Sequence, residues 1–265
     1  ALTMIPAPAG ADAPPDFDIP PTRVVSLSPA LTETLIDLGL GKVLVGVSKM
    51  DPVAASRFEL AARIAPEEGA AQQVSALEPE LVLTTEWPVV DGPQIALDEE
   101  AYPRWHIAPR SVRATIDMMW GLVRLLNSAQ SGLRISALET TFEWTTMASY
   151  AREAVPVGCL LARDDKTGTW QSVGADTYTS DLIATCGGRN VFADDPDAVR
   201  IDVDVEQVRA AAPQVLLVAS AGEIPHELEE LAGRVYAVER ATLTWPGTRL
   251  ARALQTLPPL LQSAA

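Results

Sequence analysis

The chain has 265 residues, 48% hydrophobic and 21% charged, a length that suits one large domain or two small ones, each burying a core. A formal net charge of -15 and a sequence pI near 4.5 repel nucleic acid and anionic lipid and exclude a polyanionic partner. No apolar run approaches the ~20 residues needed to span a bilayer.

Residues 1–21 (ALTMIPAPAGADAPPDFDIPP) have neither a basic n-region nor a continuous apolar run, and read as a flexible leader that could follow a removed signal or a lipid anchor. Arg23 to Leu27 is β-branched and apolar, a strand. Ser28-Pro29 then opens a helix, with Pro at the first turn and the serine oxygen expected to accept a free N–H. That helix stops at Gly39 and Gly41. Leu44 to Val47, Leu81 to Thr84 and Arg104 to Ala108 are further strands. Strands alternating with helices predict a parallel sheet covered by helices.

From Ser111 to about Glu153 there is no proline and only two glycines, Gly121 and Gly132. The spacing predicts one helix over Val112 to Asn127 and a longer one over Gln130 to Ala154. A helix of ~22 residues spans about 33 Å, enough to cross between two lobes. Strand-helix alternation then resumes: Val157 to Ala162, a helix from Thr179 to Cys186, Val215 to Ala219, Val235 to Val238. The last helix, Thr248 to Gln262, is expected to be distorted or broken near its end by Pro258-Pro259.

The halves echo each other: Val74 to Leu83 (VSALEPELVL) and Val208 to Leu217 (VRAAAPQVLL) each read as a helix end, a proline and a buried strand. Asp204 and Gln207 have the spacing of a capping box. The fold class is therefore α/β, two Rossmann-like lobes with parallel sheets joined by a single long backbone helix. The expected divisions are a leader (1–21), an N-terminal lobe (22–128), a connecting helix (129–154) and a C-terminal lobe (155–265).

Enzyme signatures are absent: there is no GxGxxG, GxxxxGK[ST], GxSxG or HExxH. His106, within a strand, reads as structural, and His226, just after a strand, as a cleft-loop or helix-start residue. Asp194, Asp195 and Asp197 read as turns, Asp202, Asp204 and Glu206 as helix-start carboxylates, and Asp164-Asp165-Lys166 as a charged loop. Cys159 and Cys186 leave one disulfide open and show no metal-ligand spacing. No catalytic or metal-ligating residues are expected.

Five strings, in order over residues 22 to 262, carry a resemblance. RVVSLSPALTETLIDLGLGKVLVGVS, VSALEPELVLTT, VGADTYTSDLIATCGGRNVFAD, VEQVRAAAPQVLLV and LTWPGTRLARAL resemble the helical-backbone substrate-binding proteins of ABC importers, which take up cobalamin, ferric siderophores and haem. The last string resembles a cobalamin-binding-like subgroup. The resemblance implies an extracytoplasmic or periplasmic monomer, free or membrane-anchored, that delivers a small-molecule metal chelate to an ABC permease. It implies little hinge motion and no cofactor beyond the transported ligand. It also implies one docking carboxylate per lobe: Glu206 matches in the second, whereas Gln72 stands at the first-lobe position, with Glu67 or Glu68 as substitutes.

In parallel α/β lobes, ligands gather beyond the carboxyl ends of strands. The loops there offer Met50, Asp51, Trp87, Arg110, Arg163, Trp170, His226 and Trp245 as ligand-binding residues. Trp105, Trp120 and Trp144 are expected in the core. Tryptophan walls suit a corrinoid. Only Lys49, Arg110 and Arg163 are on hand for an anionic catecholate siderophore, and Met50 and His226 as axial ligands for haem. The order of preference is corrinoid, then ferric siderophore, then haem. The alternatives are a cytoplasmic cofactor carrier or sensor and a metal-chelate-processing enzyme on the same fold, with Asp51, Glu86 and His226 as its titratable material.

Overall fold

A computed structural model describes residues 5–6, 14–49, 51, 62–64, 69–85, 102–194, 198–220 and 222–262. The first sheet is parallel and carries five strands in the order β4-β3-β2-β5-β6: β2 (Val24–Ser26), β3 (Leu44–Ser48), β4 (Ala62–Ile64), β5 (Leu81–Thr84) and β6 (Arg104–His106). Its helices are α1 (Pro29–Asp37), α2 (Ala70–Ser75) and α3 (Val112–Leu125). The second parallel sheet runs β10-β7-β12-β13, from β7 (Val155–Leu160), β10 (Gly188–Asn190), β12 (Val215–Ala219) and β13 (Arg234–Val238). Its helices are α5 (Tyr178–Thr185), α6 (Val205–Ala211), α7 (Arg240–Thr244) and α8 (Leu250–Leu261). A third sheet, antiparallel, lies within the same half: β1 (Ile5–Pro6), β11 (Ala198–Val203), β9 (Trp170–Ser172) and β8 (Ala162–Arg163). The expected leader thus contributes a two-residue strand paired with β11.

The long helix α4 (Ala129–Tyr150) is one continuous segment of 22 residues. Ser131 Oγ donates to the Leu38 carbonyl in the first lobe (2.7 Å), and Ser149 Oγ to the Thr185 carbonyl in the second (2.9 Å). Its first half buries Ser131, Gly132, Ile135 and Leu138, while its second half has no fully buried residue and packs only partly, through Phe142, against the core. Trp144, expected in the core, is 68% exposed there, at the edge of an open groove that it lines with Leu254, Pro258 and Leu261 of α8. Trp105 is buried and Trp120 packs against the core. The close fit of Trp105 depends on Gly121, where an added Cβ would stand 2.9 Å from the indole.

Side chains on a strand alternate between faces, and that alternation assigns the cores. Val24, Leu81 and Leu83 face one way, Val25 and Val82 the other. In the second lobe Val215 and Leu217 face one way, Leu216 and Val218 the other. The first set from each lobe joins a single apolar cluster that also takes in α3, α4 and α8. The two lobes share one core.

Two local expectations are corrected. Ser28 caps α1 and Pro29 stands in its first turn, but the serine side chain makes no cap hydrogen bond; Thr32 Oγ1 donates to the Ser28 carbonyl instead. Helix α8 runs through Pro258 and Pro259 to Leu261. The lost N–H groups fall in its last turn, Gln262 N closes onto the Pro258 carbonyl (3.0 Å), and Leu257 and Leu261 are buried. The capping box at Asp204 and Gln207 forms with both bonds at 2.8 Å.

Candidate functional site

Strand order fixes where a crevice can lie. The first sheet reverses between β2 and β5, the second between β7 and β12, and the loops beyond those carboxyl ends begin at Leu27, Thr85, Leu161 and Ser220. The connections that leave the two strands at such a reversal run in opposite directions, which opens a crevice between them. The first-lobe rim holds buried polar groups: Ser28 (1% exposed), Ser48 and Asp51 (1%). Arg63 donates to the Asp51 carbonyl at 3.1 Å.

Charged contacts cross from lobe to lobe near these edges. Arg110, beyond β6, pairs with Asp176, which precedes α5. The Val112 amide donates to Asp181 Oδ2 on α5 (2.7 Å). Glu239, the residue after β13, accepts from Arg249 (2.6 Å), and the same guanidinium donates to Glu33 of α1 (2.6 Å). Burial alone would lower the Arg249 pKa, but the bonds and charges of Glu33 and then Glu239 outweigh it and raise the value. The Trp245 ring lies over this guanidinium, 5.1 Å from ring centroid to Cζ.

The expected site residues separate into groups. Met50 and Trp87, like Glu67, Glu68 and Glu86, lie outside the described residues. Asp51 lies buried on the first-lobe rim, and Arg110 and Trp245 belong to the charged contacts just described. Arg163 sits on β8, 3.5 Å from Glu227. His226 begins a 3-10 turn after β12; its side chain is 91% exposed and its Nδ1 meets Glu229 at 2.9 Å. His106 is on β6, with Nδ1 3.2 Å from Thr84 Oγ1.

Trp170 is a correction. It lies on a strand rather than a loop, is 5% exposed, and packs with Leu160, Ile201, Val203 and Val208 in the second-lobe core. Trp-Gln-Ser at 170–172 carries the alternation of a strand with Trp170 and Ser172 inward, a signal masked by the polar run before it. Cys159 and Cys186 are free buried thiols, so no disulfide forms. Removal from water pushes each thiol up to about 12. Sequence reasoning missed Glu33, Asp176, Glu239 and Arg249, because no local pattern marks an ion pair whose partners are 216 residues apart. Among the described residues no group of three or more His, Cys, Asp or Glu could hold a metal ion, and no helix is long and apolar enough to cross a membrane.

Known proteins share this fold. The chain superposes on the periplasmic vitamin B12-binding protein of Vibrio cholerae over 91% of its own length and 97% of that chain, with a TM-score of 0.71 at 20% identity. The periplasmic heme-binding protein of Roseiflexus gives 0.69 at 23% identity over 90% and 97%. This is the fold of the periplasmic binding proteins. An Fe3+-hydroxamate transport protein of Saccharomonospora viridis has it too, at 0.69 and 16% identity over 93% and 95%. In sequence, the chain is 27% identical over 210 residues to the vitamin B12-binding protein of Photorhabdus laumondii, covering 77% of this chain and 72% of that one. It is 28% identical over 208 residues to that of Yersinia pestis, covering 74% and 69%. No protein-family profile matches the chain. The resemblance read from the five strings is borne out by these relatives.

Proposed function

We propose that the chain is the extracytoplasmic substrate-binding protein of an ABC importer, a non-catalytic monomer that holds a chelated metal compound between its lobes and hands it to a permease. The observation that carries this reading is the similarity to vitamin B12-binding proteins over 210 residues, more than either lobe alone can contain. A corrinoid is the preferred ligand. Arg110 and Arg163 already face Asp176 and Glu227, so little cationic charge is left over for an anionic catecholate. An aromatic surface such as Trp245 suits a flat, weakly charged macrocycle. Calorimetry with cyanocobalamin, haemin and a ferric hydroxamate tests the proposal. One site per chain for cyanocobalamin is expected; no heat and no rise in melting temperature with any of the three overturns it.

Docking is proposed through the outer ends of the lobes. Glu206 is 81% exposed in the first turn of α6, and Gln72 stands exposed in the first turn of α2. A lobe that offers an amide where its counterpart offers a carboxylate makes a weaker ionic contact with permease arginines. Transport into vesicles bearing the cognate permease is expected to rise with Gln72→Glu and fall with Glu206→Ala, with ligand affinity unchanged in both.

A further inference from the structure

Arg249 is 18% exposed and held from two sides, by Glu33 of the first lobe and Glu239 of the second. Arg252 closes the network onto the second oxygen of Glu239 at 2.8 Å. Two charged hydrogen bonds in the plane of a guanidinium fix that plane and leave its flat faces for other contacts. One face carries the Trp245 ring. The backbone beside it is equally constrained. Gly247 has φ +125, and a Cβ there would overlap Thr34 of α1, while the Thr248 amide donates to Thr34 Oγ1 (3.3 Å) and its hydroxyl to Asp37 Oδ2 (2.9 Å). Residues 247–249 are thereby pinned to α1 of the opposite lobe.

From this we infer that Arg249 is the positioning residue of the cleft's tryptophan: clamped between carboxylates of the two lobes, it sets the plane of the Trp245 indole before ligand arrives. An indole stacked on a fixed cation has lost its rotamer freedom in the free protein, so a ligand stacking on it does not have to order it. The carboxylates give the same network a second effect. Glu33 is 10% exposed, and its charge is compensated within the protein, which leaves the aromatic surface beside it free of a bare anion. The inference rests on the proposed function in one respect only, that Trp245 meets the ligand.

Full-length protein carrying 5-fluorotryptophan gives a separate fluorine resonance for each of its six tryptophans, and Trp245→Phe assigns the one at 245. In the ligand-free protein, Arg249→Lys and Arg249→Met are expected to shift and broaden that resonance while the other five stay in place. Lysine keeps the positive charge but presents no flat face, so a role confined to charge balance would be rescued by it and a stacking role would not. Cyanocobalamin affinity is expected to fall about tenfold in both variants, because the ligand then has to immobilise the indole itself. Should both variants fail to fold, Glu239→Gln loosens one arm of the clamp, keeps the Glu33 bond, and must still move the same resonance. An unmoved 245 resonance in the variants that fold overturns the inference, whatever happens to binding. A moved resonance with unchanged cyanocobalamin affinity overturns the ligand half of it. A wild-type protein that ignores cyanocobalamin refutes the corrinoid assignment while the fluorine result still decides the positioning.

Discussion

Trp170 shows how a single buried atom separates a core residue from a binding residue. Its indole Nε1 is buried without a hydrogen-bond partner among the described residues. An orphaned buried donor costs about 1–3 kcal/mol, and phenylalanine removes the donor along with some volume. Trp170→Phe is therefore expected to stay within about 1 kcal/mol of wild type, with Trp170→Ala losing ~3–5 kcal/mol to the cavity. Urea titrations measure both, and ligand affinity of the Phe variant is expected to be unchanged; a large loss of affinity would return Trp170 to the cleft. The thiols of Cys159 and Cys186 make a pH prediction. Burial favours their neutral form, so their contribution to stability is complete below the ordinary thiol range and is lost as the pH rises through the shifted values. The urea midpoint is expected to fall above that range in wild type and to fall less in a Cys159→Ala, Cys186→Ala double variant. Neither thiol should react with iodoacetamide until the protein unfolds.

Elements are more legible than side-chain partners, because periodicity is local and partnership is not. The alternation from Val24 to Leu83 and the absence of proline from 112 to 150 place strands and helices within a few residues of where they stand. The Asp204 capping box is readable from spacing alone, and Asp204→Ala is expected to cost about 1 kcal/mol in a thermal melt. The antiparallel β8, β9 and β11 are absent from the sequence reading: β8 and β9 have only two and three residues, whereas the alternation of Val199, Ile201 and Val203 in β11 was legible and was passed over among its charged neighbours. Trp144 was misplaced for a related reason. Helical spacing says which residues share a face, but not whether anything covers that face. In the site, strand-end loops were legible from the α/β pattern, whereas the Arg249 clamp and the Arg110–Asp176 pair exist only once distant segments meet.

At the scale of the whole molecule, the shared core decides mechanics. Residues from β2, β5, α3, α4, β7, β12 and α8 form one apolar cluster, so pulling the lobes apart exposes core rather than sliding one surface over another. Scattering curves of free and loaded protein are accordingly expected to be nearly superimposable; a large fall in radius of gyration on loading would refute a rigid junction. Calorimetric unfolding should show a single transition for both lobes. Gly247→Ala puts a methyl group into Thr34 at a backbone angle that L residues rarely adopt. It is expected to destabilise the protein by at least ~1–3 kcal/mol and to lower the common transition rather than split it.

The junction between α1 and the segment before α8 also governs when the chain can become a protein. Glu33, Thr34 and Asp37 are bonded to residues 211 to 216 positions further on. The face of the first-lobe core that packs in the same cluster as α8 is therefore covered only after that helix has been made. Loops of that length close late and slowly, and the exposed intermediate invites aggregation or a chaperone.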